Sequence, residues 1–276
     1  MISPKKVKYN DFCSKDFSQF TLLTDLAFES DQGEVSSYLN REAVASESYH
    51  GEFKRVYGYK YTESLSPKLT FIKEGFNDFS LEEVRQVLTW LTSKKTASFL
   101  DVYDDIDSEA IAYSILGGFT DIQMYKRGNN RTIAIVATFE SVHPYALSQL
   151  QTITKNPTDD KIEIKISSDE IEKAIYPRIT INKYSGGDIT ITNTYADRNR
   201  QSQISELNLK NNSDGEKIVV DGANRVIYSS NTTRIFGEDF VGWTWLELYN
   251  GTNTITVTGN CTVTFEYREP RKIGEF

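Results

Sequence analysis

FVGWTWLELYNGTNTITVTGNCTVTFEYRE, residues 240–269, contains three runs in which polar and apolar side chains alternate: FVGWTWLELY, NTITVT and CTVTFEYRE. Period-two alternation is what a strand with one buried face requires. Asn250-Gly251 separates the first two runs and supplies the backbone freedom a tight hairpin needs. The same alternation runs back through KIEIKI, RITINKY, DITITNT, EKIVV and RVIYS, with Gly186-Gly187 and Asp221-Gly222 between runs as further hairpin signals. Short strands at regular spacing, with no helical period, predict an antiparallel β-sandwich for the C-terminal half.

Upstream of that series, HPYALSQLQTITKNPTDD (143–160) carries two prolines and little pattern, which places a boundary there. The predicted domains are 1–148 and 149–276, consistent with a 276-residue chain near the size at which single cores divide. The first half mixes strands with one clear helix, predicted over 80–95, so the fold class is mainly β. Ser80 and Glu83 form a capping box, Phe79 and Val84 a hydrophobic staple, and Leu81, Val84, Val87, Leu88 and Leu91 an apolar face. SFLDVY (98–103), EAIAYSIL (109–116), DIQMYKR (121–127) and RTIAIVATFE (131–140) read as strands, the last two joined across Gly128, Asn129 and Asn130. GGF (117–119) and SGGD (185–188) read as turns. KRVYGYKYTE and SPKLTFIKE within 54–74 read as two more strands, and the polar tract between Asp31 and Gly51 as a long loop or projecting arm.

Composition narrows the chemistry. Net charge is −8, and acidic residues outnumber basic ones in both halves, which argues against a protein that tracks phosphate backbones. Two cysteines, Cys13 and Cys261, far apart and outside any CxxC or Cys/His cluster, give no zinc site and read as isolated buried thiols. His50 and His143 sit in no catalytic setting. The start, MISPKKVKYNDF, has lysines without an apolar stretch behind them, so no signal peptide is expected. The longest apolar run, IAIVA (133–137), falls far short of the roughly 20 residues a spanning helix needs, so no membrane partner is expected. NxS/T triplets begin at Asn130, Asn211, Asn231, Asn250 and Asn260 and read as a by-product of Asn/Thr-rich strands.

Asp101, Asp104, Asp105 and Asp107 form an acidic cluster, but the glycine and closing glutamate of a calcium loop are missing, so it reads as a solvated turn. Glu238 with Asp239, and Asp104 with Asp105, are neighbours in sequence and point different ways, unlike a glycosidase pair. No phosphate-binding, zincin or serine-hydrolase motif occurs. Catalytic, cofactor and metal residues are therefore expected to be absent. Trp243, Trp245 and Tyr249 alternate along one predicted strand. They make either a sandwich core or, if exposed, a sugar-stacking platform.

Several segments, in order, resemble the distal tail proteins of long-tailed, non-contractile phages. KKVKYNDFCSKDF followed by FTLLT is similar to that family's opening strand, turn and strand. A YxY-type strand pair, a capped helix ending in Trp90-Leu91, then Leu100, Val102, Asp104 and Asp105 and a Pro144-Tyr145 exit are similar to its first domain. RITINKYSGGDITITN, EKIVVDGANRVIY and LELYNGTNTITVTGNCTVTFEYRE resemble its second, galectin-like sandwich domain. His50-Gly51 departs from the Gly-Arg-x-Gly loop of many relatives.

The resemblance implies a structural virion protein, made in the bacterial host cytoplasm and placed at the distal end of the tail. It implies a homo-hexameric ring built by the first domain, with the galectin-like domains outward. That ring would join the tail tube to the tail-associated tip protein and anchor receptor-binding proteins, while phage DNA passes without specific binding. The alternative function is a carbohydrate-binding module using Trp243, Trp245 and Tyr249. A third, a cell-wall hydrolase, is disfavoured by the sparse chemistry.

Overall fold

The structure, a computed structural model, describes residues 6–10, 12–17, 22–25, 41–47, 54–73, 75, 77–105, 107–128, 131–159, 161–196, 201–234, 236–241 and 244–272. Two compact units make up the chain: Met1–Ser148 with Arg271–Phe276, and Gln149–Pro270.

The first unit contains β1 (Lys6–Tyr9), β2 (Phe12–Cys13), β3 (Leu22–Asp25), β4 (Arg41–Glu47), β5 (Lys54–Tyr61), β6 (Lys68–Lys73), helix α1 (Leu81–Thr92), β7 (Ser98–Tyr103), β8 (Tyr113–Arg127), β9 (Arg131–Ser141) and β10 (Ala146–Leu147). Strands β2-β1-β7-β8-β9-β6-β3 lie side by side in that order, and β10 pairs with β8. Val84, Val87, Trp90 and Leu91 of α1 share one core with Phe71, Leu100, Ile135 and Phe139 of the sheet. The Trp90 ring meets Phe71, Phe12 and Phe17 at 5.6, 6.1 and 5.6 Å between centroids, and its Nε1–H donates to the Tyr9 carbonyl at 3.0 Å. That hydrogen bond satisfies the one polar atom the indole brings into an otherwise apolar layer.

The capping box is present: Ser80 Oγ accepts from the Glu83 amide, and Glu83 accepts from the Ser80 amide at 2.7 Å. Glu83 is itself buried and receives Lys73 Nζ from β6 at 2.6 Å, so one carboxylate both caps the helix and ties it to the sheet. Burial alone would raise the Glu83 pKa, but the bonds from Lys73 and Ser80 outweigh it and hold the carboxyl below its ordinary value. The helix ends at Thr92, so Lys94 and Lys95 lie past its last turn. Leu81, expected on the buried face, is 92% exposed. It lies two turns from the half-buried Leu88, at the margin of the apolar stripe, and Trp90 fills the buried face instead. Glu83→Ala is expected to cost the first unit about 1–2 kcal/mol in urea unfolding, the sum of a lost cap and a lost partly buried hydrogen bond. Leu81→Ala should change stability by less than about 0.5 kcal/mol, as surface substitutions do.

Two segments differ from the sequence reading. The expected strands around GGF are one long strand, β8, with a register irregularity between Phe119 and Asp121. Gly117 is required there because a Cβ would lie 2.0 Å from the Glu140 carbonyl oxygen of β9. Part of the expected long loop, Arg41–Glu47, is a strand that pairs antiparallel with Lys54–Tyr61 as a separate two-stranded sheet. Asn129 and Asn130, expected in the β8–β9 turn, lie outside the described residues.

The second unit contains β11 (Gln151–Lys155), β12 (Ile162–Ile166), β13 (Arg178–Lys183), β14 (Ile189–Ala196), β15 (Ser202–Leu209), β16 (Lys217–Asp221), β17 (Val226–Ser229), α2 (Phe236–Asp239), β18 (Phe240–Val241), β19 (Gly251–Thr258) and β20 (Cys261–Tyr267). They form two antiparallel sheets, β11-β20-β13-β16-β17 and β12-β19-β14-β15-β18. Ile179, Ile181, Ile218, Val263 and Phe265 of the first sheet share a core with Ile164, Ile191, Leu207, Leu209 and Ile255 of the second. On the outer face of the second sheet Thr190, Thr192 and Thr194 stand directly opposite Thr258, Thr256 and Thr254. The chain is mainly β, as the alternation implied, although β11 falls within the tract read as a linker.

Loops 210–216 and 230–234 are held by a buried ion pair. Arg234 and Glu216 side chains are each 1% exposed, with Nε donating to Oε1 at 2.7 Å and Nη2 to Oε2 at 2.9 Å. Arg234 also donates to the carbonyls of Lys210 and Asn211 and to Asn212 Oδ1, and Ser229 Oγ donates to Glu216. Every polar group that the pair brings inside thus meets a partner, the condition for keeping such a pair buried.

Candidate functional site

Among the described residues of the tract FVGWTWLELY, only Phe240–Val241 form a named strand. Beyond it, Leu248 exchanges both backbone hydrogen bonds with Ile175, at 2.8 and 2.9 Å, and neighbouring backbone groups bond to side chains of the second sheet. The Glu247 amide donates to Ser205 Oγ at 3.0 Å, and Asn193 Nδ2 donates to the Glu247 carbonyl at 2.7 Å. Asn253 serves Tyr249 twice, its Oδ1 accepting from the amide at 2.9 Å and its Nδ2 donating to the carbonyl at 2.7 Å. Leu246 and Leu248 point into the core, while Trp245, Glu247 and Tyr249 are half-buried.

Trp243 lies outside the described residues. Trp245 and Tyr249 are not on one strand face. Trp245 packs edge-on against Phe240 at 5.2 Å, and Tyr249 stacks on Tyr195 at 4.3 Å. Arg225, at φ 60°, lays its guanidinium 3.9 Å above the Tyr176 ring and 5.4 Å from that of Trp245. The hydroxyls of Tyr176 and Tyr249 donate to the two oxygens of Glu247 at 2.8 and 2.9 Å. Burial, and then the Glu247 carboxylate beside it, push the Tyr249 hydroxyl well above the ordinary tyrosine range. This end of the sandwich therefore offers a carboxylate braced by two tyrosines. Its aromatic faces are largely spent on intramolecular contacts. Sequence alternation gave no sign of Tyr176, Tyr195, Arg225 or Glu247, which come from separate loops and strands.

The acidic turn is solvated. Asp104, Asp105 and Asp107 are exposed, Asp105 accepts from the Asp107 amide at 3.1 Å, and Asp107 pairs with Lys15 at 3.2 Å. Asp101 accepts from Ser114 across the β7–β8 pair. Among the described residues no group of three His, Cys, Asp or Glu could hold a metal ion. Asp239 turns toward Arg234 at 3.4 Å, while Glu238 is exposed. His143 stacks on Tyr145, and His50 lies outside the described residues. Both cysteines are free thiols, Cys261 buried but Cys13 only half-buried, against the expectation of two buried ones. No described helix is long and apolar enough to cross a membrane.

Two further features belong to the first unit. The β4–β5 hairpin exposes Val44, Val56, Tyr57 and Tyr59, the tyrosines at 63 and 66%. Arg41 lies over the Tyr59 ring at 5.6 Å, and Lys60 pairs with Glu42 at 2.5 Å. An isolated two-stranded hairpin is marginal in water and presents edges open to further pairing. Separately, α1 and the β1–β2 region enclose an open cavity of about 550 Å³, lined by Phe12, Phe17 and Trp90 and rimmed by Asp16, Arg85 and Thr89.

Residues 4–141 match a family model described as the phage tail protein N-terminal domain, and residues 145–267 match one described as the phage tail C-terminal domain. No curated protein matches the sequence. Among solved structures, the SPP1 Dit (gp 19.1) protein aligns with a TM-score of 0.61 at 11% identity, covering 95% of this chain and 98% of that one. It is described as a paradigm of the hub adsorption apparatus in Gram-positive infecting phages. A chain of the phage P2 baseplate in its activated, calcium-bound conformation aligns with a TM-score of 0.51 at 13% identity, covering 98% of both chains. At such identities the shared property is the fold. Both halves of the sequence carry the family's domains in order, so the chain belongs to the phage tail protein family, and its fold is that of the Dit hub.

Proposed function

We propose that this protein is a distal tail hub, a homo-hexameric ring joining the tail tube to the tail tip or baseplate and anchoring tip and receptor-binding proteins. Its role is structural rather than enzymatic, in the virion after synthesis in the host cytoplasm. Residues 1–148 build the ring, and residues 149–276 form outward galectin-like platforms. The β4–β5 hairpin carries this reading: a separate two-stranded arm that exposes Val44, Val56, Tyr57 and Tyr59 suits a contact repeated from copy to copy until a ring closes. The acidic balance of the chain suits a channel that DNA crosses without sticking.

Light scattering over a concentration range, followed by negative-stain imaging, tests it. The expected species is a hexamer of about 190 kDa, six copies of the 31.5 kDa chain, with a central hole about as wide as a DNA duplex. A monomer at every concentration would move the weight to the second reading below, since a tail tube can template the ring. A second reading, a sugar site at the Trp245–Tyr249 end, draws on the half-buried Glu247 carboxylate as an acceptor for sugar hydroxyls. Glycan-array binding lost in Glu247→Gln and Trp245→Ala, both folded, would establish it. An array without signal for the wild type would dismiss it.

A further inference from the structure

We infer that the Trp245–Tyr249 end of the sandwich holds an oxyanion site, where Arg225 takes a phosphate or carboxylate group of a hydroxyl-bearing ligand and Glu247 accepts from its hydroxyls. The site rests on the sugar reading above and narrows it to acidic ligands. Local structure delivers Arg225 to its place. Gly222 seats the turn after β16 against Tyr176 and Pro177. Its amide donates to the Pro177 carbonyl at 3.3 Å, and a Cβ there would lie 2.9 Å from that oxygen and 3.1 Å from the Tyr176 Cβ. Asp221 clamps the turn, one oxygen accepting from the Asn224 amide and the other from Asn224 Nδ2, both at 2.9 Å. Arg225 then takes the left-handed backbone region, which among the described non-glycine residues only Asn10 and Asn211 share. Asparagine tolerates that region, whereas arginine is strained there, and strain of this kind gathers at ligand clamps.

The guanidinium is fixed by rings and has no acceptor. Tyr176 and Trp245 hold it at 3.9 and 5.4 Å, and among the described residues Arg225 makes no hydrogen bond and no ion pair. Arg234 of the same unit shows the opposite case, its fork closed on Glu216 and its other donors on loop carbonyls. Arg225 is exposed, so its donors remain open to a ligand in the planar fork that fits carboxylate or phosphate oxygens two at a time. Glu247 supplies the second half. Its oxygens accept from Tyr176 and Tyr249, and each keeps capacity for one more donor. Tyr176 thus joins the two, with its ring under Arg225 and its hydroxyl on Glu247. A ligand that spans this tyrosine needs an anion at one end and hydroxyls at the other. A neutral sugar would leave the fork unused.

Calorimetric titration of the full-length protein with glycerol phosphate, glucuronate, glycerol and glucose tests the site. The wild type should bind each charged probe at least about tenfold more tightly than its uncharged counterpart, the scale of a charge-assisted hydrogen bond. Added salt should weaken the charged probes alone. The tighter of the two charged probes tells a phosphate source from a carboxylate one. Arg225→Gly suits the positive φ, so it should keep the wild-type circular dichroism while losing the preference for charge. Arg225→Lys should retain only part of that preference, because an ammonium has no fork. Equal binding of charged and uncharged probes by the wild type would overturn the oxyanion site and leave the sugar reading standing. So would a preference that survives in folded Arg225→Gly. No binding of any of the four would overturn both. Should Arg225→Gly misfold, Arg225→Gln decides the matter, since it removes the charge and keeps part of the stem.

Discussion

Arg234→Met will destabilise the C-terminal unit by about 3–5 kcal/mol, the cost of stranding one member of a buried ion pair. The reason lies in what is left behind. Glu216 stays 1% exposed without its bidentate partner, and the carbonyls of Lys210 and Asn211 and the amide oxygen of Asn212 each lose a donor. Arg234→Lys will recover only part of the loss, because an ammonium cannot fork across two carboxylate oxygens while serving three other acceptors. The double change Glu216→Met, Arg234→Met removes the stranded charge. It should remain about 1–3 kcal/mol below wild type, since the loop carbonyls still lack donors. Denaturant unfolding of the three variants checks these ranks.

The same pair gives a pH signature. Burial would raise the Glu216 carboxyl, but the bonds from Arg234, Ser229 and the Ser213 amide outweigh it and hold its pKa below the ordinary value. A depressed carboxyl stabilises the fold at pH above its unfolded value, near 4.3, and loses that contribution as pH falls through the folded value. Acid should therefore erode the stability of the wild type. In Arg234→Met the lone buried carboxyl prefers a proton, so its deficit should shrink as pH falls from neutrality toward 4. A constant deficit across that range would contradict this account.

The second large effect is expected at Asn253. Asn253→Ala should cost about 2–4 kcal/mol, since it leaves the Tyr249 amide and carbonyl and the Asn193 amide group without their buried partner. Because Asn253 fixes Tyr249 through its backbone amide and carbonyl, the loss should be local as well as global. Amide exchange at Tyr249 should rise by more than at the β14–β19 pairs, and the Tyr249 hydroxyl should titrate closer to its ordinary value. Uniform acceleration over the whole sandwich would show that Asn253 supports the core generally rather than tethering this segment.

That tether explains where sequence reading ran out. Alternation identified most strands because one face of each is buried. It also marked FVGWTWLELY, where the alternation is real: Leu246 and Leu248 do point inward. The backbone there is satisfied by an isolated bridge to Ile175 and by the side chains of Ser205, Asn193 and Asn253, a fact that no periodicity carries. Strand β15 escaped notice for the complementary reason. Ile204 faces out at 68% exposure while polar Ser205 faces in, which inverts the expected order at its start. The 41–47 strand is exposed over residues 41–45, so its sequence carries no buried-face alternation and looks like loop. Gly117-Gly118 looked like a turn because the close approach of Glu140 that demands Gly117 is a property of two strands together. The Glu247 cluster and the α1 cavity gather residues from distant segments, and only the fold brings those together.

The opposed threonines on the β14–β19 face bear on how such a protein changes over generations. β-branching favours the strand whatever the polarity of the tip, so Thr→Val or Thr→Ile at Thr192, Thr194, Thr254 or Thr256 keeps the backbone preference intact. Each such step would exchange a hydrated hydroxyl for a methyl without disturbing the core on the opposite face. A lineage can therefore turn this face adhesive one residue at a time while remaining folded at every intermediate. A platform built in this way can acquire a new docking partner by drift, with no insertion and no rearranged loop.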